Sequence, residues 1–477
     1  MSSKQTHYRF GAGTAAAVAL LFLAGAAVGL GYALVVIVVL VVFSVVVFWK
    51  DRLLDLVIAL GILTVSFSGI EIGPVTAPDV FLLPAAVMLG FRHVVSWNKS
   101  LPLWLFGSAM TIFAAGILAQ VAFVDLPSRS FIILLQLCTS LVYVPLVVAL
   151  GVRNLQQLQR LSALFVVSAS IGSFFGLLEF LGITDVASRL SDFSGFAYNG
   201  GRPAGFTAHP NQLGLISVLA FPFAMELFRR NRMWAASLLL LLTGVMISGS
   251  RTALAGLLVA AIVTVWVRGT LTTARLLKGA VALVFVGAMA TAAGVDVTLD
   301  RVFSGDDAVS EATEARTDSV RTALDDIRAH PLTGVGFGGN AHSLYIQIVQ
   351  GGGILALAGF AWFAQRTLRL ARAVRARPLA NAAGASMTTW LITGVVHPGL
   401  YERYLYVPAG IVLGVHILVR RRTSTSGATD YPTAESASAV STPAVATDRH
   451  GSPEPTAARR GKTPREDWRP SLGRRPE

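Results

Sequence analysis

The chain has 477 residues, of which 54% are hydrophobic and only 14% are charged. Because water-soluble proteins average about 25% charged residues, this composition excludes a single soluble globular domain. The net charge is +13, and Cys138 is the one cysteine, which excludes an intrachain disulfide framework and a cysteine-cluster metal site.

Apolar stretches of membrane-spanning length follow one another along the chain. A helical span needs about 20 apolar residues, and the first stretch, residues 11–49, is long enough for two spans. Further predicted spans cover residues 53–70, 80–91, 102–124, 131–151, 163–181, 210–228, 233–247, 252–267, 280–294, 343–363, 379–396 and 405–419. The sequence therefore predicts an all-α polytopic membrane protein, a bundle of about 14 transmembrane helices.

The basic residues predict the orientation of this bundle. With the N-terminus in the cytoplasm, the inner connections hold most of the lysines and arginines, ending in the run 420–422. The predicted outer segment 301–328 instead carries four arginines against seven aspartates or glutamates. The basic excess is thus predicted to face the cytoplasm and anionic lipid headgroups, with both termini cytoplasmic. A nucleic-acid partner is not needed to explain it.

The two ends of the chain differ from the bundle. Lys4 and Arg9 precede an apolar run with small residues at 24–26, as in a cleavable signal, but the run continues and favours an uncleaved first span. From Thr423 onward the chain is rich in Ser, Thr, Pro, Ala and Arg. Such a composition buries too little apolar surface to fold. Residues 1–422 are therefore predicted to form the transmembrane domain and residues 423–477 a disordered cytoplasmic tail.

Two predicted outer loops are long, at about residues 182–209 and 295–341, and loops of this length are usually functional or disordered. The first ends in a polar segment that contains Arg202 and His209. The second contains a predicted amphipathic helix over residues 315–329 and leads to His342. A tight turn before Arg251 joins two spans at the same surface. The topology therefore predicts that these two arginines and two histidines meet outside the membrane.

These side chains suit the chemistry of a phosphate substrate. A desolvated Arg251 or Arg202 would donate two parallel hydrogen bonds to a phosphate, although snorkelling or an ordinary loop position would also explain an arginine there. The imidazole of His342 is expected to titrate near neutral pH, so it could take a hydroxyl proton as a general base. A polar cap at the start of the helix would also explain a histidine there. For His209 and Asn211 the favoured interpretation is capping of the helix that starts between them, with a functional role second.

Other patterns predict less. The glycine-rich run 334–339 follows a polar helix instead of a strand, so it is not a dinucleotide loop, and flexibility before His342 is the better interpretation. Glycines 351–353 would let another helix or a lipid chain approach closely. The outer histidines at 209, 330, 342 and 397 lack the spacing of a zinc site. Glu179 and Glu402 could orient partners, and Glu402 is expected to pair with Arg403.

Three patches occur in a fixed order, at residues 201–212, 248–254 and 316–343. In the last, His342-Ser343 is followed by nine residues and Gly353. In this order and at these predicted positions, the patches resemble the O-antigen ligase and O-antigen polymerase family of bacterial membrane glycosyltransferases. The likeness covers roughly residues 200 to 355. Val320 and Gln350 depart from it, since many relatives have an aromatic residue and a glutamate there.

The resemblance implies a GT-C-like fold and a metal-independent, cofactor-free transfer. A glycan would pass from a polyprenyl-diphosphate carrier to a glycan or other hydroxyl acceptor, on the outer face of the bacterial cytoplasmic membrane, among membrane lipids and polysaccharide-assembly proteins. It implies that Arg202 and Arg251 hold the diphosphate and that His342 activates the acceptor hydroxyl. The further substrate contacts expected are His209, Asn211, Arg316 and Ser343.

Two other classes of function stay open. A transporter or flippase would place ionisable residues near the middle of the bilayer, and the predicted spans hold very few. A non-catalytic subunit of a polysaccharide assembly complex would tolerate changes at the residues above. The sequence also does not decide between a polymerase and a ligase activity.

Overall fold

A computed structural model describes residues 52–72, 75–96, 102–123, 128–184, 186, 202–267, 307–339 and 341–426. The structural statements below refer to these residues. The spans predicted in residues 11–49 and 280–294 lie outside them, as do residues 427–477 of the predicted tail.

The described chain is built from helices joined by short connections. They are α1 (Arg52–Leu63), α2 (Asp79–Ser96), α3 (Leu103–Phe123), α4 (Ser128–Leu150), α5 (Leu155–Phe180), α6 (Pro210–Arg230), α7 (Ala235–Ile247), α8 (Arg251–Val267), α9 (Asp307–Ala329), α10 (Leu344–Ala373), α11 (Pro378–Thr393) and α12 (Val407–Ser426). Short 3-10 turns, Arg232–Trp234 and Arg403–Leu405, precede α7 and α12. Between α1 and α2, the strands β1 (Glu71–Ile72) and β2 (Val75–Thr76) pair antiparallel, with Glu71 opposite Thr76.

Six of the described helices are long and apolar enough to cross a membrane. They are Leu103–Ala122, Arg129–Leu150, Leu155–Phe180, Pro210–Arg230, Leu344–Ala373 and Arg403–Arg421, and α1, α2, α7 and α8 are shorter apolar helices. The prediction of an all-α multi-pass membrane protein is confirmed. The total of about 14 helices is not confirmed.

The helix ends differ from the predicted spans where polar side chains decide them. α5 begins at Leu155, ahead of its apolar stretch, because the Asn154 side chain caps it by accepting the Gln157 amide at 2.9 Å. α1 ends at Leu63, well before residue 70. There, Ser66 bonds to Ser168 of α5 through its main chain at 3.1 Å and its hydroxyl at 2.9 Å. Side-chain bonds of this kind compete with a helix for the main chain.

α6 packs against four other described helices, which are α5, α7, α8 and α11. Small residues let the helices approach. Gly214 of α6 faces Ala253 of α8 and the Ser248 side chain, and Gly256 of α8 faces Thr393 of α11. Close approach through small residues is the usual way in which membrane helices associate. α6 therefore packs against four other helices of the bundle.

Candidate active site

The first turn of α6 is capped by a histidine. The Nδ1 atom of His209 accepts the Asn211 main-chain N–H at 3.0 Å, and Pro210, which has no N–H, occupies the first helical position. The capping interpretation of His209 is confirmed. A ring nitrogen that accepts a hydrogen bond carries no proton, so the neutral His209 ring donates through Nε2.

Arg202 connects this turn to the segment before α8. Its Nε donates to the Ser248 carbonyl at 3.0 Å, and its Nη2 donates to the Asn211 Oδ1 at 2.7 Å. The loop that carries Arg202 is held by Glu179, whose Oε2 accepts the amides of Ala204 and Gly205 at 2.9 and 2.7 Å. The Asn211 side chain therefore accepts from an arginine, and it is the Asn211 main-chain N–H that is capped, by His209. Glu179 positions the loop, in agreement with the orienting role predicted for it.

Arg251 is the first residue of α8 and is exposed. The turn before it includes Gly249, whose φ of +56° is favourable for glycine alone. A Cβ at Gly249 would lie 3.6 Å from the Nε of Arg202. Arg202 thus packs on the turn that starts α8, and the two predicted arginines belong to one corner of the bundle.

His342 approaches from the other side, at the start of α10. Its side chain is exposed, whereas Ser343 is buried and its hydroxyl donates to the Gly394 carbonyl at 3.5 Å. The Leu344 amide donates to the carbonyls of Gly394 and His397, at 2.8 and 3.0 Å. These bonds hold the start of α10 against the segment after α11. A substrate contact of Ser343 stays a prediction, since its hydroxyl bonds within the protein here.

The pKa shifts of His209 and His342 indicate which charged groups lie near these two imidazoles. The pKa of His209 falls to about 4, first because surrounding protein desolvates it and then because Arg202, Arg316 and His342 are close. The pKa of His342 is also lowered, by desolvation and then by Arg316 of α9. Four of the predicted site residues therefore lie near one another, and the lowered pKa of each imidazole favours its neutral form near pH 7.

The glycine-rich run before His342 is a docked loop, which corrects the expectation of flexibility. α10 is broken at Gly352 and Gly353, and the loop bonds to it there. The Val335 amide donates to the Gln350 carbonyl at 2.7 Å, and the Ile354 amide donates to the Pro331 carbonyl at 3.0 Å. The break frees main-chain groups, and the loop satisfies them.

Gln350, the position that departs from the family, ties α9 to this break. Its Nε2 donates to Asp326 of α9 at 2.8 Å. The predicted helix over residues 315–329 is confirmed, and it starts earlier, at Asp307. α9 thereby carries Arg316 to the histidines.

His397 lies near His209 and His342, and the sequence analysis grouped it with the outer histidines without giving it a role. It is 6% exposed, and its Nδ1 accepts the Gly399 amide at 2.9 Å. Burial lowers the pKa of His397 to about 4, the nearby His209 and His342 lower it further, and a hydrogen bond with the Asn211 backbone opposes them. The available signal was the His-Pro pair, which occurs at 209–210, 330–331 and 397–398.

The expected pairing of Glu402 with Arg403 is wrong. Arg403 turns to Asp79, with Nε to Oδ1 at 2.8 Å and Nη2 to Oδ2 at 2.5 Å. Glu402 accepts instead from the Gln212 amide at 3.0 Å, and burial raises its pKa. Gln212 also accepts the Ser68 hydroxyl at 3.0 Å, so it joins the first turn of α6 to two other segments. Neighbours in sequence point apart here because each has a better partner far along the chain.

Comparison with known protein families matches one part of the chain. Residues 236–361 match the family described as O-antigen ligase. The matched stretch includes Arg251, Arg316 and His342, and it ends before His397. The search of curated proteins found no match to the chain. The family match confirms the resemblance to the O-antigen ligase family over the patches at residues 248–254 and 316–343, and the patch at residues 201–212 lies outside the matched stretch.

Proposed function

Taking the O-antigen ligase and polymerase family as the premise, we propose that this protein transfers a glycan from a polyprenyl-diphosphate carrier to an acceptor hydroxyl. The reaction takes place on the outer face of the bacterial cytoplasmic membrane, as a polymerase or a ligase of surface polysaccharide. The observation that carries the proposal is that Arg202, Arg316 and His342 lie close enough to His209 to lower its pKa, and that Arg316 likewise lowers the pKa of His342.

The chemistry requires cations at the leaving group. The bond between the anomeric carbon and the phosphate oxygen breaks, and the acceptor oxygen takes its place on that carbon. Charge then develops on the departing diphosphate, which stays on the lipid. Arg202 and Arg251 stabilise this charge in the role that other enzymes give to a metal ion. The transfer is thus proposed to be metal-independent.

His342 takes the proton of the acceptor hydroxyl. Its lowered pKa leaves the ring unprotonated near neutral pH, which a general base requires. His209 is less suited to this role, because its Nδ1 is already bonded to the Asn211 amide. Arg316 and Asn211 assist by contacting substrate and by orienting Arg202, respectively.

The membrane pattern supports the location. A lipid carrier requires the reacting phosphates at headgroup level, which is the end of a helical bundle. The basic residues predict that this end faces outward and that the N- and C-termini are cytoplasmic. A transporter would need mobile ionisable groups inside the bundle. The buried charges of Asp79 and Arg403 bond each other, which favours the enzyme.

The test is glycan transfer by the purified full-length protein with a lipid-linked donor. We expect His342→Ala to lower the rate by roughly 10² to 10⁴ and Arg251→Ala by about 10² or more. Arg251→Lys keeps the positive charge but loses the planar guanidinium that donates two parallel hydrogen bonds, so partial activity is expected. Arg229→Ala, an exposed arginine at the opposite end of α6, is the control. Undiminished product from normally produced His342→Ala and Arg251→Ala proteins would refute the proposal.

A further inference from the structure

Two neighbouring amide side chains in the first turn of α6 have different partners. The Oδ1 atom of Asn211 accepts the Nη2 of Arg202 at 2.7 Å. The Nε2 of Gln212 donates to the Oε1 of Glu402 at 3.0 Å, and its Oε1 accepts the Ser68 hydroxyl at 3.0 Å. Successive side chains of a helix differ in direction by about 100°. One side chain of the turn therefore contacts Arg202, and the next contacts two distant segments of the chain.

Both partners of Gln212 are buried and belong to segments that other contacts hold in place. Ser68 is 7% exposed, and the next residue, Gly69, donates its amide to the Phe206 carbonyl at 2.9 Å. Glu402 is 8% exposed and lies in the segment that the buried ion pair before α12 holds. Gln212 thus joins the first turn of α6 to two fixed parts of the bundle.

These two bonds bear on the position of Arg202. Without them, the turn keeps the His209 cap and the hydrogen bond between His397 and the Asn211 backbone, so it would be loosened and not lost. A hydrogen bond needs its nitrogen and oxygen within about 3.2 Å. A small displacement of the turn is therefore enough to break the bond that Asn211 makes to Arg202.

We propose that Gln212 is a positioning residue for Arg202, which it holds through Asn211 in the orientation that binds the diphosphate of the lipid-linked donor. This inference rests on the proposed function and adds a residue outside the matched stretch 236–361. Gln212 acts through its neighbour and not by contact with the substrate. The guanidinium keeps its bond to the Ser248 carbonyl at 3.0 Å, so a change at Gln212 is expected to weaken donor binding and not to abolish it.

The substitution Gln212→Leu removes both bonds and keeps a side chain of similar size. We expect the full-length variant in lipid nanodiscs to bind polyprenyl diphosphate roughly tenfold more weakly, and its KM for the lipid-linked donor to rise by a similar factor. A loss of folded protein alone would lower kcat and leave that KM unchanged. Wild-type affinity of the Gln212→Leu protein for polyprenyl diphosphate would overturn the assignment.

Gln157 provides the matched control, because its side chain makes the same two kinds of bond at the start of another helix. Its Nε2 donates to Asp55 at 3.1 Å, and its Oε1 accepts the Arg153 amide at 2.6 Å. It lies in the first turn of α5, whereas Glu179, which holds the Arg202 loop, lies in the last turn. Gln157→Leu should therefore bind polyprenyl diphosphate as the wild type does. Equal weakening in the two variants would show a general loss of stability and would overturn the proposal.

Exchanging the two partners keeps the bonds. In the double variant Gln212→Glu with Glu402→Gln, a carboxylate at position 212 accepts from the amide at position 402 and from the Ser68 hydroxyl. We expect this protein to regain most of the wild-type affinity for polyprenyl diphosphate. If it binds as weakly as Gln212→Leu, the bonds are not the cause of the loss, and the proposal is overturned.

A second variant covers the case in which Gln212→Leu does not fold. Ser68→Ala removes one of the two bonds, and we expect it to bind polyprenyl diphosphate about threefold more weakly. Unchanged binding by that variant would overturn the assignment. A wild-type protein that neither binds polyprenyl diphosphate nor transfers glycan would instead overturn the proposed function.

Discussion

At the scale of single residues, Asp79 and Arg403 show how a buried charge is accommodated. Their side chains are 1% and 6% exposed, and Asp79 also accepts from Tyr143 and from the amide and hydroxyl of Thr76. The pair joins the start of α2 to the segment before α12. The sequence predicted a different partner for Arg403, because adjacency along the chain says nothing about a residue 324 positions away.

Removing one charge of this pair should be costly. We expect Asp79→Asn to destabilise the protein by about 3 to 5 kcal/mol, because Arg403 is left buried and unpaired. Asp325→Asn breaks the exposed pair with Arg328, whose side chains are 61% and 76% exposed, and should cost less than about 1 kcal/mol. Thermal unfolding in detergent measures both. Equal melting temperatures for the two variants would contradict this account.

At the scale of elements, the break in α10 determines how His342 is presented. The loop before His342 fills the break, and Gly353 has a φ of +65°, where its missing side chain lets the Leu332 carbonyl approach. From the sequence we expected another helix or a lipid chain to approach these glycines closely. Only the structure shows that the partner is the loop containing the other glycine run.

Gly353→Ala tests this element. The added Cβ would overlap the Leu332 carbonyl at a strained φ, so we expect the loop to leave the break, with lower thermal stability and loss of transfer. Gly90→Ala in α2 is the control, since a Cβ there meets no atom within 4 Å. Helix propensity predicts that it stabilises by up to about 1 kcal/mol. If the Gly353→Ala protein were active and as stable as the wild type, the break in α10 would not have the structural role described here.

At the scale of the whole molecule, the distribution of basic residues predicts which end faces outward. Arg321 of α9 and Arg375, between α10 and α11, are both exposed, and they lie on opposite predicted sides. Cys138 is buried and is the one cysteine, so its replacement by Ala gives a background for thiol labelling.

In that background, Arg321→Cys should react with a membrane-impermeant thiol reagent in intact cells. Arg375→Cys should react only after the membrane is permeabilised. The reverse result would place the histidines and arginines in the cytoplasm, and glycan transfer on the outer face would no longer be tenable. As a control for folding, the Arg321→Cys and Arg375→Cys proteins should each transfer glycan as fast as the background protein without cysteine.

The sequence by itself determined the helical multi-pass class, the resemblance to the O-antigen ligase family, and the segments that carry Arg202, Arg251, Arg316 and His342. These features are local, because hydropathy over 20 residues and short motifs can be read without knowing what packs against them. Only the tertiary structure decided that His397 lies near His209 and His342, that Arg403 pairs with Asp79, and that the glycine loop docks into α10. Each of these depends on contacts between distant segments, where burial and hydrogen-bond geometry select one partner among many that the sequence permits.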